Sequence, residues 1–146
     1  MSVDVEVVRS VDDELVRAFG RLLPQLSRSA KPVDSSVLEK LVSWPGNHLL
    51  VARVNGEILG TLTLVTFPIP TGLRAWIEDV VVDEAARGHG VGAVLTREAV
   101  RLAREAGART VDLTSRPSRE AANRLYERLG FRTRDSKVYR FVADMN

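Results

Sequence analysis

The stretch "WIEDVVVDEAARGHGVGAVL", Trp76 to Leu95, runs from an apolar strand-like segment through three glycines into a helix-like one. Gly88, Gly90 and Gly92 crowd the junction, and Arg87 stands directly before them. Glycine disfavours a helix by about 1 kcal/mol relative to alanine at each interior position. This backbone is therefore kept bare against a penalty. A helix start offers unpaired N–H groups and the positive end of the helix dipole. Such a start binds phosphate, and missing side chains let the phosphate approach the main chain. Arg87 adds a cation that can fork onto phosphate oxygens. The plainer alternative is a tight turn that lets the helix pack close to a sheet.

Outward from the glycines, the pattern supplies the rest of an α/β chain. Val91, Leu95, Ala99, Leu102 and Ala106 recur at helical spacing, with Gly107 as the stop. Upstream, "HLLVARVNGEILGTLTLVTF" reads as a hairpin turning at Asn55-Gly56, the favoured pair for a type I′ turn. "LRAWIEDVVVD" is the next strand, almost too apolar to have a wet face. Before the hairpin, "VDVEVV" alternates like a short strand. Asp12 or Asp13 can cap a helix reaching about Pro24, and "PVDSSVLEKLVSW" is a second helix capped by Asp34 or Ser35. Downstream, "RTVDLT" is a strand, and Ser118 caps a helix carrying Ala122, Leu125 and Leu129. Gly130 closes that helix with Phe131 folding back in a Schellman-like end. "KVYRFVA" offers a last strand. Hairpin strands first, then strand–helix–strand–helix–strand, predict a mixed sheet with an antiparallel half and a parallel crossover.

Composition narrows the setting. A chain of 146 residues, 45% hydrophobic and 27% charged, predicts one soluble domain spanning residues 1–146. Without cysteine there is no disulfide, thiolate nucleophile or thiolate metal site, and two histidines, His48 and His89, are too few for a histidine metal cluster. No metal is expected. A net charge of +2, with the arginines scattered, gives no nucleic-acid stripe. No apolar run approaches a membrane span and the N-terminus lacks signal-peptide shape, so a cytoplasmic protein is expected. A homodimer stays open.

Two phosphate motifs compete for the glycines. A Walker loop is excluded because no Gly-Lys-Ser/Thr follows. A dinucleotide fingerprint is formally met by Gly88-x-Gly90-x-x-Ala93, with Asp112 about 20 residues on. The motif falls in mid-chain, however, with a hairpin upstream instead of a βαβ unit, and Asp112 lies inside its strand. Arg87-Gly88-His89-Gly90-Val91-Gly92 matches the Arg/Gln-x-x-Gly-x-Gly/Ala signature of the GCN5-related N-acetyltransferases (GNAT). "WIEDVVVD" resembles that family's fourth strand, and "REAANRLYERLGF", Arg119 to Phe131, resembles the helix after its fifth.

The resemblance implies a GNAT fold, acetyl-CoA as co-substrate and a site. The main chain at Val80, Val81 and Val82 would pair with the pantetheine amides. Arg87, Gly88, His89, Gly90, Val91 and Gly92 would hold the pyrophosphate. Tyr126 matches the tyrosine that protonates the leaving thiolate in many members, and the Val80 N–H would hold the thioester carbonyl if the strand is bulged there. The family often has Asn where Arg119 stands; Asn123 is the nearby candidate for cofactor contact. Acetyl transfer to an amine also needs a proton acceptor. Glu78 is the carboxylate leading into this point, and burial among Trp76, Val80 and Val82 would raise its pKa toward neutrality. The plain alternatives are a Glu78 paired with an arginine and a Tyr126 that only packs helix to sheet. Tyr139 and Trp76 read as core or pocket wall, Asp112 as structural. The expected activity is N-acetyl transfer to a small-molecule or protein amine by direct attack in a ternary complex. A non-catalytic acyl-CoA sensor on the same fold and a dinucleotide-binding domain remain as alternatives.

Overall fold

Alternation and turn chemistry build a five-stranded sheet in which spatial order follows chain order, β1-β2-β3-β4-β5. Strands β1 (Val3–Val7), β2 (Asn47–Val54), β3 (Glu57–Ile69) and β4 (Gly72–Val82) are antiparallel neighbours. β5 (Thr110–Asp112) lies parallel to β4. Asn55 and Gly56 turn the β2–β3 hairpin with φ of 52° and 82°, the left-handed pair that a type I′ turn requires. Helices α1 (Asp13–Leu26) and α2 (Ser35–Ser43) come between β1 and β2, and α3 (Val91–Glu105) carries the crossover from β4 to β5. The computed structural model describes residues 2–144, which part into two compact units between Thr114 and Ser115. All of these elements belong to the first unit. The second holds α4 (Glu120–Arg128).

The first unit is a three-layer sandwich. On one face Leu15, Ala18, Phe19 and Leu22 of α1 and Leu38 of α2 cluster with Leu49, Val51, Ile58 and Val81 of the sheet. On the other, α3 packs so close that a Cβ at Gly60 would stand 2.9 Å from Val91 Cγ1 and 3.2 Å from Leu95 Cδ1. Any side chain there would have to push Val91 aside. At roughly 25 cal/mol per Å² of apolar surface, each fully buried leucine of these layers contributes about 1.5–3 kcal/mol.

Several boundaries differ from the sequence expectation. α1 runs past Pro24 to Leu26, because a proline in the last turn removes one hydrogen bond without stopping the chain. β5 is three residues long, not six. α4 starts after Arg119, with no side-chain cap, so Ser118 is not its N-cap. No strand forms over residues 137–143, and Tyr139 is 86% exposed instead of core. Alternation makes a strand only beside another strand, and the second unit contains none among its described residues. The helix ends match their expectation. After α3, Ala108 N–H bonds to Ala103 O at 2.9 Å with Gly107 at φ 90°. After α4, Phe131 N–H bonds to Tyr126 O at 3.0 Å with Gly130 at φ 101°.

Candidate functional site

β4 is the strand on which the site is built, and its pairing is interrupted twice. β5 accompanies it only from Arg74 to Trp76, so beyond Trp76 the sheet forks. Against β3, Glu78 stands opposite Thr63 and Val81 opposite Thr61, leaving two residues, Asp79 and Val80, against Leu62 alone. This is a β-bulge, and Asp79 takes a φ of 52° to make it. The bulge flips the alternation. Glu78 and Val81, three apart, lie on the face of α1 and α2, whereas Ile77 and Val82, five apart, lie on the face of α3.

Past Val82 the chain is tied down before it reaches the glycines. Asp83 N–H donates to Leu59 O at 2.8 Å, and the Asp83 carboxylate accepts from Ala85 N–H at 2.9 Å, starting a single 3-10 turn over Glu84–Ala86. Glu84 N–H donates to Gln25 Oε1 at 3.0 Å, so the end of α1 buttresses the loop. The exposed Arg87 directs Nε toward Val82 O at 3.4 Å. Gly88 and Gly90 then take φ of 85° and 77°, and a Cβ on either would meet no atom within 4 Å. Their bareness serves backbone conformation and leaves open space before the helix. Gly90 is the N-cap of α3, and no side chain caps it. The first intrahelical bond is Val94 N–H to Gly90 O at 3.1 Å, so the N–H groups of Val91, Gly92 and Ala93 come before the ladder begins. His89 is exposed.

Glu78 is exposed, contrary to the expected burial among Trp76, Val80 and Val82; the fork leaves that stretch of β4 without a neighbour on one side. Among the described residues no arginine pairs with it either. Its Oε1 accepts from Trp76 Nε1 at 2.9 Å. Strand periodicity puts residues i and i+2 on one face, which is the signal in the sequence for this contact. Trp76 is half-buried, and Asp112 pairs with it across the β4–β5 ladder.

In the second unit, Tyr126 is 7% exposed and meets Phe131 edge-on, ring centroids 5.8 Å apart. Burial raises its pKa, while the nearby Arg119 charge pulls more weakly the other way. The phenol therefore keeps its proton at neutral pH, as an acid must. Asn123 Nδ2 donates to Arg116 O at 3.0 Å, bracing the loop before α4, so its amide is already engaged on one side. Among the described residues, no three His, Cys, Asp or Glu side chains come together to hold a metal, and no helix is long and apolar enough to cross a membrane.

A mixed sheet forking past a bulge, followed by a glycine-rich turn into an uncapped helix, defines an acyltransferase of the GNAT class. The chain belongs to this family: the model of the acetyltransferase (GNAT) family matches residues 11–131. GNAT acetyltransferases use acetyl-CoA as co-substrate. Two relatives are similar along most of their length. A probable glucosamine 6-phosphate N-acetyltransferase 2 of Oryza sativa subsp. japonica is 46% identical over 141 residues, 89% of this chain and 82% of that one. A glucosamine 6-phosphate N-acetyltransferase of Trypanosoma brucei brucei is 31% identical over 144 residues, 93% and 95% of the two chains. Among solved structures, a putative acetyltransferase from Agrobacterium tumefaciens str. C58 superposes with a TM-score of 0.83. It is 26% identical, with 97% of this chain and 100% of that one covered.

Proposed function

We propose that this enzyme moves the acetyl group of acetyl-CoA to a primary amine by direct attack, with both substrates bound together. The observation that carries the reading is the bulge at Asp79–Val80, beside a fork that leaves the end of β4 paired with β3 alone. A family match crossing from the first unit into the second, residues 11–131, supports one catalytic domain. When bound, acetyl-CoA supplies the activated acyl group as a thioester. The main chain of Val80, Val81 and Val82 pairs with its pantetheine arm. The N–H groups of Gly88, His89, Gly90, Val91 and Gly92, with Arg87, hold its pyrophosphate. The Val80 N–H donates to the acyl oxygen, where charge develops during the transfer.

The nitrogen has to lose two protons on its way from ammonium to amide, and the sulfur has to gain one. An alkylamine with a pKa of about 10.4 arrives as ammonium at neutral pH, and Glu78 takes its proton, directly or through a water. Tyr126, protonated in its buried setting, delivers a proton to the departing sulfur, and the second proton that the nitrogen loses as the amide forms restores the phenol. The open face of Asn123 is left for the cofactor. The names of the relatives make a phosphorylated amino sugar the first acceptor to try. Release of free thiol from acetyl-CoA should depend on glucosamine 6-phosphate or on another amine in a panel of sugars, polyamines, amino acids and peptide N-termini. Binding of acetyl-CoA without thiol release from any amine would instead make the chain an acyl-CoA sensor.

A further inference from the structure

We propose that Trp76 is a positioning residue, its indole Nε1–H holding the Glu78 carboxylate in the orientation that receives the acceptor's proton. The proposal rests on the reading of Glu78 as the base. The two side chains share a face of β4, two residues apart, and Trp76 Nε1 stands 2.9 Å from Glu78 Oε1. Their backbones are held very differently. Trp76 is clamped on both sides, opposite Val65 of β3 and Asp112 of β5. Glu78 lies past the fork, opposite Thr63 alone, with Asp79 in the left-handed region directly after it. Trp76 is half-buried and Glu78 exposed. A long carboxylate on a strand paired on one side, next to a bulge, has many rotamers open to it. The indole ties that loose side chain to the last position on the strand that is paired on both sides.

The chemistry of the tether matters. An indole donates a hydrogen bond and accepts none. It therefore fixes one carboxylate oxygen without competing for the proton that the other is there to take. An arginine in its place would engage both oxygens and hold the carboxylate as an ion pair; among the described residues no arginine or lysine pairs with Glu78.

Three variants and their combinations test this, with glucosamine 6-phosphate as the amine probe. Trp76→Phe keeps the ring bulk and loses the donor. It should lower kcat about tenfold, typical of a side chain misplaced near the chemistry, with KM for acetyl-CoA unchanged. Trp76→His should recover most of the rate, because imidazole overlays the five-membered ring of indole and puts Nε2 where Nε1 stood. In the Glu78→Gln background, Trp76→Phe should cause no further loss of rate. A Trp76→Phe enzyme as fast as the parent overturns the proposal, as does equal loss in both backgrounds. A Glu78→Gln enzyme at the parental rate overturns the base assignment itself, which separates the two failures. A measurement without acceptor guards against an inactive probe. The Trp76 indole N–H resonance, assigned by its disappearance in Trp76→Phe, should shift in Glu78→Gln while that of Trp44 stays. If it does not shift, the tether is absent.

Discussion

The first two helices and the last two begin in opposite ways. Asp12 accepts from Leu15 N–H at 2.9 Å and Asp34 from Val37 N–H at 3.0 Å, so α1 and α2 each start with a free N–H answered by a side chain. α3 starts at Gly90 and α4 at Arg119, and neither has a side-chain cap. The ends reverse the contrast: both late helices close with a glycine and a complete set of Schellman bonds, whereas α1 and α2 run out at Ser27 and Trp44 in extended conformation. The chain therefore makes caps readily and omits them at two starts. Those two helices are the ones that the proposed mechanism assigns to the cofactor and to the leaving sulfur. An unanswered helix start is a defect in a scaffold and an asset at a binding site.

The contrast can be broken by experiment, beginning where the effect is largest. On α4, Tyr126→Phe should lower kcat on the order of 10²-fold, the usual contribution of one general acid, and leave acetyl-CoA affinity intact. An unchanged rate would make Tyr126 a packing residue against Phe131. On α3, acetyl-CoA at about 100 times its dissociation constant should stabilise the parent by about 2.7 kcal/mol. Gly90→Val should lose most of that increment. Because valine is strained at φ 77°, Gly90→Asn serves as the better-folded partner, since asparagine tolerates the left-handed region. Equal increments in all three proteins, read as melting shifts, would return the glycines to a turn-making role.

On α1, Asp12→Ala should destabilise the free protein by about 1 kcal/mol and leave the acetyl-CoA increment untouched. If that increment falls too, capped and uncapped starts do not divide the labour. The smallest effect belongs to the strand that follows α2. His48 on β2 is held below its ordinary pKa, first by burial and then by the charge of Arg9. The folded state therefore favours the neutral ring. Its contribution is present above about pH 6.5 and fades as pH falls through the lower folded value. His48→Gln should flatten that part of the stability–pH curve; an identical slope would assign the acid sensitivity elsewhere.

How much of this was legible depended on how local the cause was. The Asn55-Gly56 turn and the Gly130–Phe131 closure follow from residues within one turn of each other, and the structure has them where the pattern predicts. The α3 face matches at Val91, Leu95 and Ala99 and then continues through Ala103, with Ala106 exposed past the helix end. Arg87 to Gly92 stood out because three glycines within five residues crowd one helix start, more than a single N-cap needs. The burial of Glu78 was misread because exposure there depends on β5 ending at Asp112, a property of a different strand. Val138, Tyr139 and Phe141 have the alternation of a strand and lack a neighbour in their own unit. Ser118 has the chemistry of a cap but stands one residue before the N-cap, a distance that propensity does not resolve.

The bulge at Asp79–Val80 also gives β4 something like a reading frame. Every side chain before it is counted in one parity and every side chain after it in the other. Removing either residue would leave the hydrogen-bonding capacity of the strand nearly intact and yet turn Val81 toward α3 and Val82 toward α1. The whole glycine loop would then leave the sheet from the wrong side. Substitutions along this strand are thus local events, and a single deletion is not: its length at this point matters to the proposed site as much as any side chain on it.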